Sequence, residues 1–335
     1  MKTYLLDPFG EPAFMNNVIF ESPYGVFREI LRQKKIDLQT YDKGNIAKAD
    51  KILCFNYHKS FLNLCQSAGV PKEKMVLFIF EPSVIIPEQY HPAVWDNYGT
   101  IFTVRDDLVQ KYGFHKFVWP QGGSYINRKL LGFEERKYLI LINGNHYSYE
   151  PNELYTLRRR AIRFFEKKPD FDLYGRDWNK KIIVISPRNI RGALKNRAPL
   201  ALMLNILDTL RGYSSYRGSV DNKYDTLEQY KYCLCFENER EAPGYFTEKI
   251  FDCFFTGTVP IYYGASNVEE YIPKDCFIDL RHFDNFAMLD DYLRHIDQVT
   301  FAKLQKAGQR YIHSKKFTET WLAEAAFTKI AAQLD

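Results

Sequence analysis

The chain has 335 residues, of which 46% are hydrophobic and 26% charged, and its formal net charge is +5. This length favours two domains of ordinary size, and the ordinary composition excludes a disordered or fibrous class. The charge is too small and too evenly spread to argue for nucleic-acid binding, although it suits an anionic small molecule or an acidic membrane surface.

In chain order, short apolar runs alternate with helical patterns, the mark of a parallel α/β sheet. The first half holds strand patterns at Thr3–Leu6, Lys51–Phe55, Met75–Phe80 and Thr100–Val104. Helical patterns at Val26–Lys35 and Ser60–Ala68 lie between them. The stretch Gly113–Arg128, with Pro120, Gly122 and Gly123, reads as a crossing between domains. A second alternation begins with strand Tyr138–Ile142, helix Glu153–Lys168 and strand Phe171–Tyr174. Residues from Lys181 to Val220 are poorly patterned. Then come strand Tyr232–Phe236, helix Thr247–Phe255, and strands Val259–Tyr263 and Cys276–Leu280. Helical patterns at Phe286–Ile296, Phe301–His313 and Glu319–Leu334 complete the chain. The expected division is an N-terminal Rossmann-like domain over 1–130, a C-terminal one over 131–315, and a terminal helix over 316–335 that packs back on the first. The two domains are expected to face a cleft.

The cysteines, Cys54, Cys65, Cys233, Cys235, Cys253 and Cys276, show no CxxC pair and no zinc-ligand spacing. All six read as reduced and structural, and Cys233 and Cys235, alternating within one apolar run, as small hydrophobes. The opening MKTYLLDPFGEP lacks the layout of a signal peptide, and no run approaches the ~18 apolar residues of a membrane span. The expectation is a cytoplasmic chain able to rest peripherally on the inner membrane.

Ligands of open α/β sheets bind beyond the carboxyl ends of the strands, so the polar residues that follow each apolar run are the candidates. Met75–Phe80 is followed by Glu81-Pro82, Tyr138–Ile142 by Asn143-Gly144-Asn145, and Tyr232–Phe236 by Glu237-Asn238. Glu81 reads as a general base whose pKa partial burial would tune, or equally as a capping or ion-pairing glutamate. Glu237 and Glu248 compete for the base role. Thr247 is a natural N-cap and Gly257 a natural helix end. Lys249 in the first helical turn opposes the macrodipole, unless an anion such as a diphosphate lies between the helix end and the ammonium. Tyr245 either lies against a sugar or base or packs in the core. One arginine of Arg158–Arg160 is placed to reach a diphosphate with its forked donors. The acid pairs Asp106-Asp107 and Asp290-Asp291 read as surface charge, and no metal site is expected. No P-loop, GxGxxG, HExxH or GxSxG is present.

Residues 230–264, YKYCLCFENEREAPGYFTEKIFDCFFTGTVPIYYG, resemble the signature of glycosyltransferase family 10, the α-1,3/4-fucosyltransferases. The likeness extends through Phe277-Ile278-Asp279 and Asp284, and upstream to Gly218-Ser219-Val220 and Lys223. It implies an α/β GT-B fold and an inverting transfer of L-fucose from GDP-β-L-fucose to a glycan hydroxyl, with α-1,3/4 linkage and no metal or other cofactor. By that resemblance Lys249 and Arg159 (Arg158 if the register slips) contact the diphosphate. Lys223, Glu237, Asn238, Tyr245, Thr247 and Glu248 line the donor pocket, and Glu81 is the base. The loop Glu239–Gly244 departs from the family's serine- and glycine-rich pattern. A different nucleotide-sugar donor, or binding without catalysis, therefore stands as the alternative. The context implied is bacterial surface polysaccharide or lipopolysaccharide, the partners being a nucleotide-sugar, a glycan acceptor and a membrane surface, not nucleic acid.

Overall fold

The structure, a computed structural model, describes residues 1–122, 129–180 and 183–334. Residues 123–128 of the expected crossing, and 181–182 at the head of the poorly patterned stretch, lie outside the described residues. The chain forms two compact units. The first comprises Met1–Ser124, Pro243–Phe246 and Lys315–Asp335, and the second Tyr125–Ala242 and Thr247–Ser314. Sequence patterning foresees neither the return of four residues from the middle of the chain to unit 1 nor their position just before the predicted cap.

Unit 1 runs through β1 (Lys2–Asp7), α1 (Tyr24–Gln33), β2 (Ile36–Thr40), β3 (Lys51–Phe55), α2 (Lys59–Ser67) and β4 (Met75–Ile79). It continues with α3 (Pro92–Trp95), β5 (Thr100–Thr103), α4 (Asp106–Tyr112) and β6 (His115–Lys116). Its strands are parallel in the order β2-β1-β3-β4-β5-β6. Every residue of β4 is buried, as expected of a parallel strand covered on both faces. That is why Met75–Ile79 reads as a continuous apolar run. β2 went unpredicted because IDLQT only alternates, and its burial alternates with it.

Unit 2 holds β7 (Lys137–Ile142), α5 (Tyr155–Phe165), β8 (Phe171–Tyr174), α6 (Pro187–Lys195), α7 (Pro199–Arg211) and α8 (Lys223–Leu227). β9 (Tyr230–Phe236), α9 (Glu248–Thr256), β10 (Val259–Tyr263), α10 (Val268–Tyr271) and β11 (Ile278–Asp279) follow, then α11 (Phe286–His295) and α12 (Gln298–Ile312). The order is β8-β7-β9-β10-β11, again parallel. Leu141, Ile162, Leu234, Ile261 and Leu289 form the middle of its core. In both units the strand order reverses beside the first strand, which opens a crevice at the carboxyl edge. Gly175, at φ +130°, closes that edge in unit 2: a Cβ there would collide with the Asn143 carbonyl oxygen, so only glycine lets the loops after β7 and β8 lie together.

The last residues, α13 (Lys315–Thr320) and α14 (Ala323–Ala331), belong to unit 1. The Phe327 ring stacks on Phe27 at 4.8 Å, and the Tyr4 hydroxyl donates to the Leu334 carbonyl oxygen at 3.1 Å. The six cysteines are buried and free. Asp290, expected at the surface, is instead buried in α11, where it accepts from the Tyr138 hydroxyl at 2.9 Å and pairs with Lys168 and Arg294. Asp106 pairs with Lys116 at 2.7 Å.

Candidate active site

The strand reversal in unit 2 brings the ends of β7 and β9 together, and Glu237 leaves β9 there fully buried, at 0% exposure. Its Oε1 accepts from the Thr247 backbone N–H at 2.9 Å, and its Oε2 from the Thr247 hydroxyl at 2.8 Å and from Lys249 Nζ at 3.2 Å. Lys249 Nζ also donates to Thr247 Oγ1 at 2.9 Å. Thr247 is the N-cap of α9, and Gly257 ends the helix at φ +66°. Gly264 makes room for the carboxylate, since a Cβ there would stand 2.5 Å from both Glu237 Cγ and the Tyr262 hydroxyl oxygen. A lysine in the first helical turn needs an anion between the helix end and its ammonium, and the Glu237 carboxylate occupies that position.

Burial works against the Lys249 ammonium, but the Glu237 and Glu248 carboxylates outweigh it and hold its pKa above the ordinary lysine value. The Lys249 side chain keeps 18% exposure. Burial alone would raise the Glu248 carboxyl, yet Lys249 and Lys223 bring it below its usual range. Lys223 does not join this cluster by a direct bond. Its ammonium pairs with Asp252 of α9 at 2.5 Å, and Asp252 was not singled out from sequence. Burial pushes Asp252 up to about 7 against the opposing pull of Lys223.

Of the four arginines of α5, Arg158 and Arg159 are buried and hold different partners. Arg158 is buried and donates to the carbonyl oxygens of Phe236 and Glu237 at 3.3 and 3.2 Å, so it fastens the end of β9. Arg159 lies over the Tyr147 ring at 4.0 Å and gives one nitrogen to the His146 carbonyl oxygen at 2.8 Å. Its Nε and Nη2 are buried and have no hydrogen-bond acceptor among the described residues. Two unsatisfied guanidinium donors in a buried position are costly unless a ligand or water meets them. Arg159 is thus the arginine of the pair with more donor capacity to spare.

Asn238 is half-buried, and its carbonyl oxygen accepts from the Leu154 N–H at 3.0 Å. Tyr245 is buried within Pro243–Phe246, the segment that clusters with unit 1. Glu81 is half-buried at the end of β4, also in unit 1. Its backbone is held by three groups that the sequence reading missed. Asn56 Oδ1 accepts from the Phe80 and Glu81 N–H groups at 3.0 and 2.9 Å. Gln89 Nε2 and the Tyr90 hydroxyl donate to the Glu81 carbonyl oxygen at 2.6 and 2.9 Å. Asn56 sits at φ +67°, a conformation that asparagine tolerates better than most residues. The available signal was its place directly after β3, the position that marks Glu81 and Glu237 on their own strands. Among the described residues, no group of three or more His, Cys, Asp or Glu could hold a metal ion.

Residues 192–323 match the family model "Glycosyltransferase family 10 (fucosyltransferase) C-term". An α-(1,3)-fucosyltransferase of Helicobacter pylori is 30% identical over 198 residues, covering 56% of this chain and 40% of that enzyme's length. The chain therefore spans less than half of this relative. Many solved structures share the fold, and two of them show its range. One is an α1,3-fucosyltransferase with GDP-fucose, at TM-score 0.53 and 17% identity, covering 99% of this chain and 88% of that one. The other is the Anabaena protein Alr3699/HepE in complex with UDP-glucose, at TM-score 0.58 and 10% identity, covering 100% and 99%. At those identities the likeness is one of fold, two Rossmann-like α/β units of the GT-B type.

Proposed function

We propose that this chain, whose residues 192–323 match the family 10 fucosyltransferase C-terminal model, moves L-fucose from GDP-β-L-fucose to a hydroxyl of an acceptor glycan. The transfer is a single displacement with inversion, giving an α-1,3 or α-1,4 linkage on a bacterial surface polysaccharide or lipopolysaccharide. The acceptor oxygen attacks the anomeric carbon, the bond from that carbon to the diphosphate oxygen breaks, and GDP departs. Glu81 takes the hydroxyl proton. Lys249 and Arg159 balance the negative charge that develops on the diphosphate. Thr247, Glu248, Asn238, Tyr245 and Lys223 line the donor pocket, with Glu237 holding Lys249 in place.

The observation that carries this reading is the Glu237–Thr247–Lys249 cluster at the N-terminus of α9, inside the segment that the family model matches. Spare donors on Arg159 add to it. Thermal unfolding with GDP, UDP and CMP tests the donor: a nucleotide at 100 times its Kd adds about 2.7 kcal/mol. Stabilisation by UDP and not by GDP would overturn the fucose assignment. A second reading, the same fold with another nucleotide-sugar, draws on the Glu239–Gly244 loop and on the fold shared with a protein bound to UDP-glucose. Binding without catalysis would show as GDP stabilisation with no GDP release across a glycan acceptor array.

A further inference from the structure

Helix α7 is turned inside out. Its buried residues are Asn205 and Thr209. Thr209 shares a 2.6 Å hydrogen bond with the Tyr147 hydroxyl, and Asn205 Nδ2 donates to the Tyr149 hydroxyl at 3.3 Å. The opposite face carries Leu200, Met203, Leu204, Leu207 and Leu210, each between 51 and 63% exposed. Those positions recur at helical spacing, so they form one continuous stripe. Helix α6 repeats the inversion on a smaller scale: Asn189 and Ala193 are buried, while Ile190 and Leu194 are exposed. Scattered surface leucines need no explanation, but a contiguous apolar stripe on a helix anchored by its polar side marks a surface that something else covers.

The charges around the stripe select the occupant. Between residues 184 and 212 stand Arg188, Arg191, Lys195, Arg197 and Arg211, with Lys195 paired with Glu150 at 3.0 Å and Asp208 the only acid in that stretch. That acid accepts from Arg163 Nε at 2.5 Å and from the Tyr213 hydroxyl at 2.8 Å, so it is already engaged by other groups. A symmetric contact with a second copy would bring the two cationic rims face to face, which is unfavourable. The exposed side chains are aliphatic, whereas the cores of protein interfaces are enriched in aromatics. Aliphatic residues on one face with cations beside them are what an anionic lipid surface receives.

We propose that the outward face of α6 and α7 docks on an anionic lipid bilayer, with Leu200, Leu204 and Leu207 entering the acyl boundary and Arg191, Arg197 and Arg211 in the headgroup layer. This surface does not depend on the identity of the donor. The test is flotation of the full chain with vesicles of phosphatidylcholine plus phosphatidylglycerol, against vesicles of phosphatidylcholine alone. The chain is expected to float with the anionic vesicles and to dissociate as salt screens the charges. Leu204→Gln with Leu207→Gln lowers the partition coefficient about tenfold or more. Arg191→Gln with Arg197→Gln keeps every leucine and removes most of the preference for anionic vesicles, a second test if the first variant is poorly folded. No flotation with anionic vesicles overturns the proposal, as does flotation undiminished in both variants. A concentration-dependent dimer in sedimentation, dissolved by the leucine changes in a chain that ignores vesicles, would also overturn it and give the face to a second copy.

Discussion

Lys249 Nζ lies 3.2 Å from Glu237 Oε2, so the cation that opens α9 is held by the acid that ends β9. A carboxylate with no exposure satisfies the cap residue through both its N–H and its hydroxyl, and it fixes the ammonium at the helix end. Glu237→Gln leaves that ammonium with the Glu248 carboxylate alone as counter-charge and the cap with one fewer acceptor. The expected cost is about 3 kcal/mol, toward the lower end of what breaking a buried pair costs because Lys249 is partly solvated. A urea midpoint close to that of the parent would show that the cluster does not hold the two elements together.

Lys249→Met tests the same pair from the other side. Glu237 keeps its two Thr247 donors but, with no exposure, loses its paired cation, so a destabilisation of about 3–5 kcal/mol accompanies the change. GDP stabilisation in thermal unfolding is expected to fall by the equivalent of about tenfold or more in affinity, the loss of one charge-assisted contact. Unchanged GDP affinity would remove Lys249 from the donor site.

The base assignment separates cleanly from binding. Glu81→Gln is expected to lower kcat by about 10²–10⁴-fold while leaving GDP stabilisation intact. Full transfer activity in that variant would return the role to Glu237 or Glu248.

Asp252 gives stability a defined pH dependence. Its pKa is raised from 3.8 in the unfolded chain to about 7 in the fold. The native state therefore holds this proton where the unfolded chain has already released it. The contribution is fully present below about pH 4 and is lost as pH rises through about 7. In Asp252→Asn this loss disappears, so the stability difference moves in favour of the variant between those two limits. Urea midpoints at a series of pH values report it, and a difference that stays flat or moves the other way would contradict the assignment.

Gly264→Ala forces a methyl group against Glu237 Cγ and the Tyr262 hydroxyl. The expected destabilisation is about 1–3 kcal/mol, with GDP affinity falling because Glu237 positions Lys249. A neutral result in both measurements would mean that the β10 end yields without cost.

The strands buried on both faces were legible because burial makes them continuous apolar runs: Met75–Ile79 and Val259–Tyr263 read directly. Thr247 and Gly257 announced the ends of α9, since caps are local chemistry. Helix α7 was hidden for the opposite reason. Pattern reading assumes that leucines face inward, and here they face out. Glu237 was seen as a strand-end acid, but its hold on Lys249 joins a strand end to a helix start twelve residues later and needs the folded backbone. Asp252 looked like one more charged helical residue until the fold set Lys223 beside it.

The bond from the Tyr4 hydroxyl to the Leu334 carbonyl oxygen joins the first strand to the last residue described. Unit 1 therefore draws on residues that lie on both sides of unit 2 in the sequence. Unit 2 has all its own residues once Ser314 has emerged, while unit 1 still lacks α14 against Phe27. The unit begun first is thus the one completed last, and until α14 has been made the surface around Phe27 stays uncovered.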